Sequence, residues 1–173
     1  MRTIALLFSL IGLALLQTAV IPRFALATLH PDLALLAVVA WGLRTSADTA
    51  ARWGVAAALL LDMFSGAPLG ASVLSMAAVL LLLRLGETSG IKGDLLVALG
   101  AALIGTVVFD AVSLLVLEAW GKAIDWRATI DNVILPAAVV NALFMPFVYG
   151  AAAWLQGRLG ETVALAADRG REA

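Results

Sequence analysis

The sequence predicts an all-α integral membrane protein, six transmembrane helices in one compact bundle, on three observations. Apolar residues make up 63% of the chain and charged ones 13%, with a mean hydropathy of +1.04, whereas soluble domains are about half apolar and a quarter charged. Six apolar segments recur along it, Thr3–Ile21, Pro31–Leu43, Trp53–Phe64, Leu69–Leu85, Leu95–Trp120 and Val133–Gln156. Basic residues fall unevenly on the two sides those segments define.

The first segment follows a single Arg2 and is interrupted mainly by Ser9, Gln17 and Thr18. It is longer than a signal-peptide core and has no small-x-small cleavage site before Pro22, so it reads as an uncleaved first helix. The second and third segments have only 13 and 12 residues, fewer than the roughly 20 needed to cross a bilayer. They are short helices extended by their flanks, or else Trp53–Leu85 is one broken span. The charges choose between these readings, because basic loops stay cytoplasmic. Six spans place Arg2, Arg44, Arg52, Arg84, Lys92, Arg158, Arg169 and Arg171 on one side and Arg23, Lys122 and Arg127 on the other. Five spans leave no bias. The expected organisation is therefore a six-helix domain over 1–160 with a short tail, 161–173, and both termini in the cytoplasm.

Between the third and fourth segments the stretch "LLLDMFSGAPLG" forms a tight hairpin on the outer side. Gly66 suits the end of one helix and Pro68 the first turn of the next. Asp62 lies in the last turn of its own helix, where a carboxylate opposes the macrodipole. It either sits shallow enough to meet water, or bonds to the Ser65 hydroxyl or to amides of the following turn, or contacts a partner. At the head of the second segment Pro31 fits the first helical position and Asp32 the first turn. His30, the chain's one histidine, is a weak metal hint with nothing to complete a site.

Asp110 lies deep in the fifth segment and must face the bundle, be protonated or find partners. Thr106 and Ser113 share its helix face, and Asn141 of the sixth segment is placed to reach it. An interhelical hydrogen-bond clamp is the plain reading; a proton or ion relay lacks a second deep carboxylate. Gly54 with Ala58, and Ala101 with Gly105, are small-xxx-small pairs that allow close helix approach. Pro136 and Pro146 predict kinks in the sixth segment. The tryptophans Trp41, Trp53, Trp120, Trp126 and Trp154 fall near segment ends, as interfacial anchors do.

With no cysteine, disulfide and thiolate chemistry are excluded. A net charge of −1 gives no case for nucleic acid. No paired acids, Ser/His set or metal set stand at one depth, so no catalytic, metal or cofactor site is expected.

Three stretches, "PDLALLAVVAWGL", "LLLDMFSGAPLG" and "NALFMP", together resemble the rod shape-determining MreD family, as do the length and the six-span layout. The family pattern falls on Pro31, Asp32, Asp62, Gly66, Pro68, Gly70, Asn141 and Pro146. The resemblance implies a non-catalytic scaffold in the bacterial inner membrane, part of the elongation machinery that lays down lateral cell wall. It implies direct binding of the single-span protein MreC, and through it a link to MreB, RodA and its class B penicillin-binding transpeptidase. It also implies a fold similar to the substrate-binding subunits of energy-coupling-factor vitamin transporters. The competing expectation is a small-molecule-binding subunit of such a transporter.

Overall fold

A computed structural model describes residues 31–65, 68, 70–90 and 94–169, with the side chains of residues 64, 65 and 159–169 outside that description. The first segment, Thr3–Ile21, lies outside the described residues, as do Gly66 and Leu69. Everything described is helix, turn or connection, without a strand. The helices are α1 (Leu33–Arg44), α2 (Ala47–Ser65), α3 (Ala71–Thr88), α4 (Leu95–Ala119), the one-turn α5 (Trp126–Thr129) and α6 (Leu135–Arg169), with a π-helical turn over Ile130–Ile134 between the last two.

Three stretches are long and apolar enough to cross a membrane: Ala71–Thr88, Leu95–Ala119 and Trp126–Arg158. α1 is apolar but has 12 residues, a rise of about 18 Å against a hydrocarbon core of about 30 Å. The third segment, expected to be short, is not: α2 has 19 residues and starts six positions before Trp53. Hydropathy hides that start because its first turns are polar. The Ser46 hydroxyl accepts from the Thr49 amide at 3.2 Å and Glu87 of α3 accepts from the Ala47 amide at 3.0 Å, so two of the helix's orphan donors are met by side chains.

α1 is the hub, packing against α2, α3, α4 and α6. Leu35, Leu36, Val38 and Val39 of α1 meet Ala50 and Ala58 of α2, Met76, Val79 and Leu80 of α3, Ala98, Ala102 and Phe109 of α4, and Met145 of α6. Small residues permit this approach, as the small-xxx-small pairs predict. A Cβ on Gly54 would lie 3.1 Å from Val38, 3.2 Å from Leu80 and 3.3 Å from Met76. Van der Waals packing of this kind is what holds helices together in lipid, where burial of apolar surface gives no net drive.

The outer surface is apolar, with Leu96 of α4 79% and Phe147 of α6 75% exposed. The π turn has a cause in the sequence. Pro136 has no N–H to return to Asn132, and the Leu135 amide bonds back five residues to the Ile130 carbonyl. Pro146 stands inside α6, whose helical backbone runs on through the expected tail boundary to Arg169.

Candidate functional site

The hairpin between α2 and α3 is built around Asp62. α3 begins at Ala71 after Gly70, which has φ +99° and no side chain with which to cap the helix. A helix start leaves its first amides without partners, and here a residue eight positions upstream supplies them. Asp62 Oδ2 accepts from the Gly70 amide at 2.7 Å and Oδ1 from the Ser72 amide at 2.8 Å. The carboxylate opposes the dipole of its own helix but lies at the positive end of the next, where negative charge is favoured. Of the readings the sequence left open, this is the bond to amides of the following turn. Asp62 is 3% exposed, so the shallow, wetted alternative does not hold. The side chain of Ser65 lies outside the described residues.

One expectation at this hairpin is corrected, while the expectation for Gly66 lies outside the described residues. Pro68 is not in the first turn of a helix; it lies three residues before α3, and its carbonyl accepts from the Ala71 amide at 3.1 Å. The left-handed glycine seen here is Gly70, which frees the chain to turn into α3 without strain.

A second polar group ties the start of α1 to α4 and α6. Asp32 is the N-cap of α1 rather than a first-turn residue, its Oδ1 accepting from the Leu35 amide at 3.0 Å, and Pro31 consequently precedes the cap. Asn141, 2% exposed, accepts through Oδ1 from the Asp32 amide at 2.8 Å and donates through Nδ2 to Thr106 Oγ1 at 2.9 Å. Thr106 in turn donates to the Ala102 carbonyl at 2.7 Å. The clamp predicted between α4 and α6 therefore exists, but Asn141 takes Thr106 and the Asp32 backbone, not Asp110. The Asp110 side chain makes no hydrogen bond to the described residues; it is partly buried, within electrostatic reach of Asp32.

Ser113, expected beside Asp110, instead meets Ser75 of α3 at 2.7 Å. Since the Ser75 hydroxyl donates to the Ala71 carbonyl at 2.9 Å, Ser113 is the donor of that pair. Sequence reasoning passed over Ser75. The signal available was a hydroxyl in the apolar run after the hairpin, at a depth matching Ser113.

At the other end of α3, an apolar groove of about 530 Å³ opens between the end of α1, the second half of α3 and the first half of α4, lined by Gly42, Leu82, Gly86, Gly100, Ile104 and Gly105 among others. Gly86 and Gly100 differ from Gly54. A Cβ on either meets nothing within 4 Å, so the packing of the described residues does not require glycine there.

Apolar spanning-length helices, an apolar outer surface and polar groups spent on holding helix ends define an all-helical membrane protein. Its sites are structured for positioning helices. The family model for the rod shape-determining protein MreD matches residues 1–152, and the chain belongs to that family, whose role is in determining rod shape. No curated protein and no solved structure gives a match.

Proposed function

We propose that this chain is a non-catalytic adaptor of the cell-wall elongation complex in the bacterial inner membrane, spanning it six times with both termini cytoplasmic and binding MreC directly. MreC then connects it to MreB, RodA and the class B penicillin-binding transpeptidase. Membership of the MreD family over residues 1–152 is the observation that carries this reading.

The geometry supports a place for the partner helix. Leu74, Leu81 and Leu85 of α3 are 57%, 59% and 56% exposed and recur at the spacing of a coiled-coil seam. Their stripe leads from just past the Asp62 hairpin to the groove, where Gly86 and Gly100 leave room for another backbone. A single-span helix laid along it gains close packing, the main source of association in lipid. Asp62, with Ser65, Gly66, Pro68 and Gly70 around it, holds the outer end of that face in shape. Asp32, Asp110, Asn141 and Pro146 serve the bundle behind it.

Co-purification of the tagged chain with its own MreC, with photo-crosslinkers at Leu74 and Leu85 and a control at Phe147, tests the proposal. Adducts with MreC at the two leucines and none at Phe147 are expected. Adducts at Phe147 alone would move the interface. Loss of MreC with retention of a small ligand, for which a groove of about 530 Å³ lies within the usual range of pocket sizes, would favour the transporter-like reading instead.

A further inference from the structure

The stripe proposed for the partner helix is apolar, and leucine packing alone sets neither which way a helix runs along it nor how far along it sits. A charge at the end of the stripe sets both. The groove opens where α3 ends, and among the described residues lining it only Glu87 is charged. Glu87 stands two residues beyond Leu85 and is exposed. Its Oε2 accepts from the Ala47 amide at 3.0 Å, which holds the carboxylate beside the groove. Its Oε1 accepts no hydrogen bond from the described residues.

The arginines nearest the groove are engaged elsewhere. Arg84, three residues before Glu87 on α3, is spaced for an ion pair with it on the helix surface, yet it turns to Asp48 of α2 at 3.2 Å. Arg44 stands between the groove-lining Leu43 and Thr45, but its Nε donates to Gln156 Oε1 of α6 at 2.9 Å and its guanidinium lies 5.0 Å from the centre of the Tyr149 ring. The groove therefore ends on a carboxylate, with Arg44 drawn toward α6 and Arg84 toward α2.

On the six-span reading this end of α3 is cytoplasmic, the side to which most of the chain's basic residues fall. A single-span helix likewise carries its lysines and arginines at its cytoplasmic end. Against a wholly basic surface such a flank would be repelled, and Glu87 supplies the opposite charge at the place where the flank arrives.

We infer that the partner helix lies with its cytoplasmic end at the mouth of this groove, where a lysine or arginine flanking its apolar span pairs with Glu87 Oε1. The carboxylate gives the helix its direction along α3 and stops it at one depth; the leucines and glycines give it contact. The inference rests on the adaptor reading proposed above and adds to it the orientation of the partner and the chemistry of its flank.

Glu87 also serves the start of α2, so the test has to separate charge from support. Glu87→Gln keeps an acceptor oxygen for the Ala47 amide and removes only the charge. With full-length MreC in detergent, this variant should unfold at the parental temperature but bind about fivefold more weakly at low salt, the worth of a partly exposed ion pair. Parental binding should fall as salt is raised, through screening of the pair, and binding by Glu87→Gln should not. Glu87→Lys should bind more weakly still, and a Lys→Glu or Arg→Glu change in the cytoplasmic flank of the MreC span should restore it. The glutamine variant decides the matter even where Glu87→Lys fails to accumulate. Parental affinity in Glu87→Gln would overturn the inference, and so would weakened binding with parental salt dependence or a reversal in MreC that restores nothing. A photo-crosslinker at Leu74 separates this failure from that of the adaptor reading. Adducts at parental yield in both Glu87 variants would leave the stripe as the interface and overturn the charge pairing alone, whereas no adduct at Leu74 or Leu85 in the otherwise native chain would overturn both.

Discussion

Replacing Asp62 isolates the bond set that holds the hairpin between α2 and α3. Two backbone amides, Gly70 and Ser72, donate to this one carboxylate at 2.7 and 2.8 Å. A hydrogen bond to a charged group is worth about 1.5–3 kcal/mol, and loss of a capping side chain by itself about 0.5–2 kcal/mol. The two bonds do not simply add, because Gly70 and Ser72 are half-exposed and their amides recover part of the loss from water. Asp62→Leu should therefore destabilise the fold by about 2–3 kcal/mol, taking the charged-bond range with partial recovery. Asp62→Asn keeps one acceptor oxygen but turns an NH₂ toward the second amide and removes the charge from the helix N-terminus, so about 1–2 kcal/mol is expected. At a few degrees per kcal/mol for a chain of this size, thermal unfolding in detergent should shift down by about 5–10 °C for the leucine variant and about half that for asparagine. An asparagine variant as stable as the parent, or a leucine variant no worse than asparagine, would refute the cross-helix cap. Gly70→Ala is the companion measurement. It leaves Asp62 intact and should destabilise by about 1–2 kcal/mol through the left-handed backbone alone.

Asn141→Leu should lower stability by about 1–3 kcal/mol, since two interhelical bonds are lost and each is worth up to about 1.7 kcal/mol in a membrane bundle; a double-mutant cycle with Thr106→Val should show coupling, while one with Asp110→Asn should not. Gly54→Leu should destabilise by several kcal/mol or prevent accumulation, because even a Cβ meets three side chains at 3.1–3.3 Å and overpacking alone reaches about 3 kcal/mol. Gly100→Leu, with open space at its Cβ, should accumulate normally and instead reduce co-purification of MreC. Arg84→Ala should change the unfolding temperature very little, since the pair with Asp48 at 3.2 Å is exposed on both sides and such pairs are worth at most about 1 kcal/mol.

Hydropathy located all five segments that fall in the described region, because apolar periodicity and length are properties of the segment alone. It erred where a helix begins with polar residues. Ala47–Arg52 carries Asp48, Thr49 and Arg52, which read as a loop until Ser46 and Glu87 are seen to accept its first amides. The candidate site was legible to a different depth. Asp62 stood out as an expensive residue in an apolar run, and bonding to the following turn was among its readings. That the bonds go to Gly70 and Ser72 depends on the angle at which α3 leaves the turn, which no local pattern records. Asn141 and Thr106 were both singled out, but the pairing was misjudged. Asp110 drew the asparagine by its charge, whereas the structure aligns Asn141 one turn away, with Thr106.

The polar residues inside the bundle share a physical logic that bears on function. Asp62 and Asp32 each accept from amides at a helix start, Asn141 joins one such start to α4, and Ser113 bonds to a serine that itself bonds within α3. Each completes a hydrogen bond that hydrocarbon would otherwise leave unmet, and none projects a free group from the outer surface of α3. What the Leu74–Leu85 stripe offers the proposed partner helix is therefore shape: leucine side chains spaced for a helix and glycines that admit a backbone. Recognition of that kind depends on how rigidly α2, α3 and α4 are fixed relative to one another, because contact by packing is lost over small displacements. The buried polar bonds and the close contact at Gly54 fix them. On the interface proposed for MreC, Asp62 acts through the hairpin: a leucine there should loosen its angle and weaken MreC binding, and Gly100→Leu should weaken it while leaving the hairpin intact. Stability and co-purification measured on the same two variants separate support from contact.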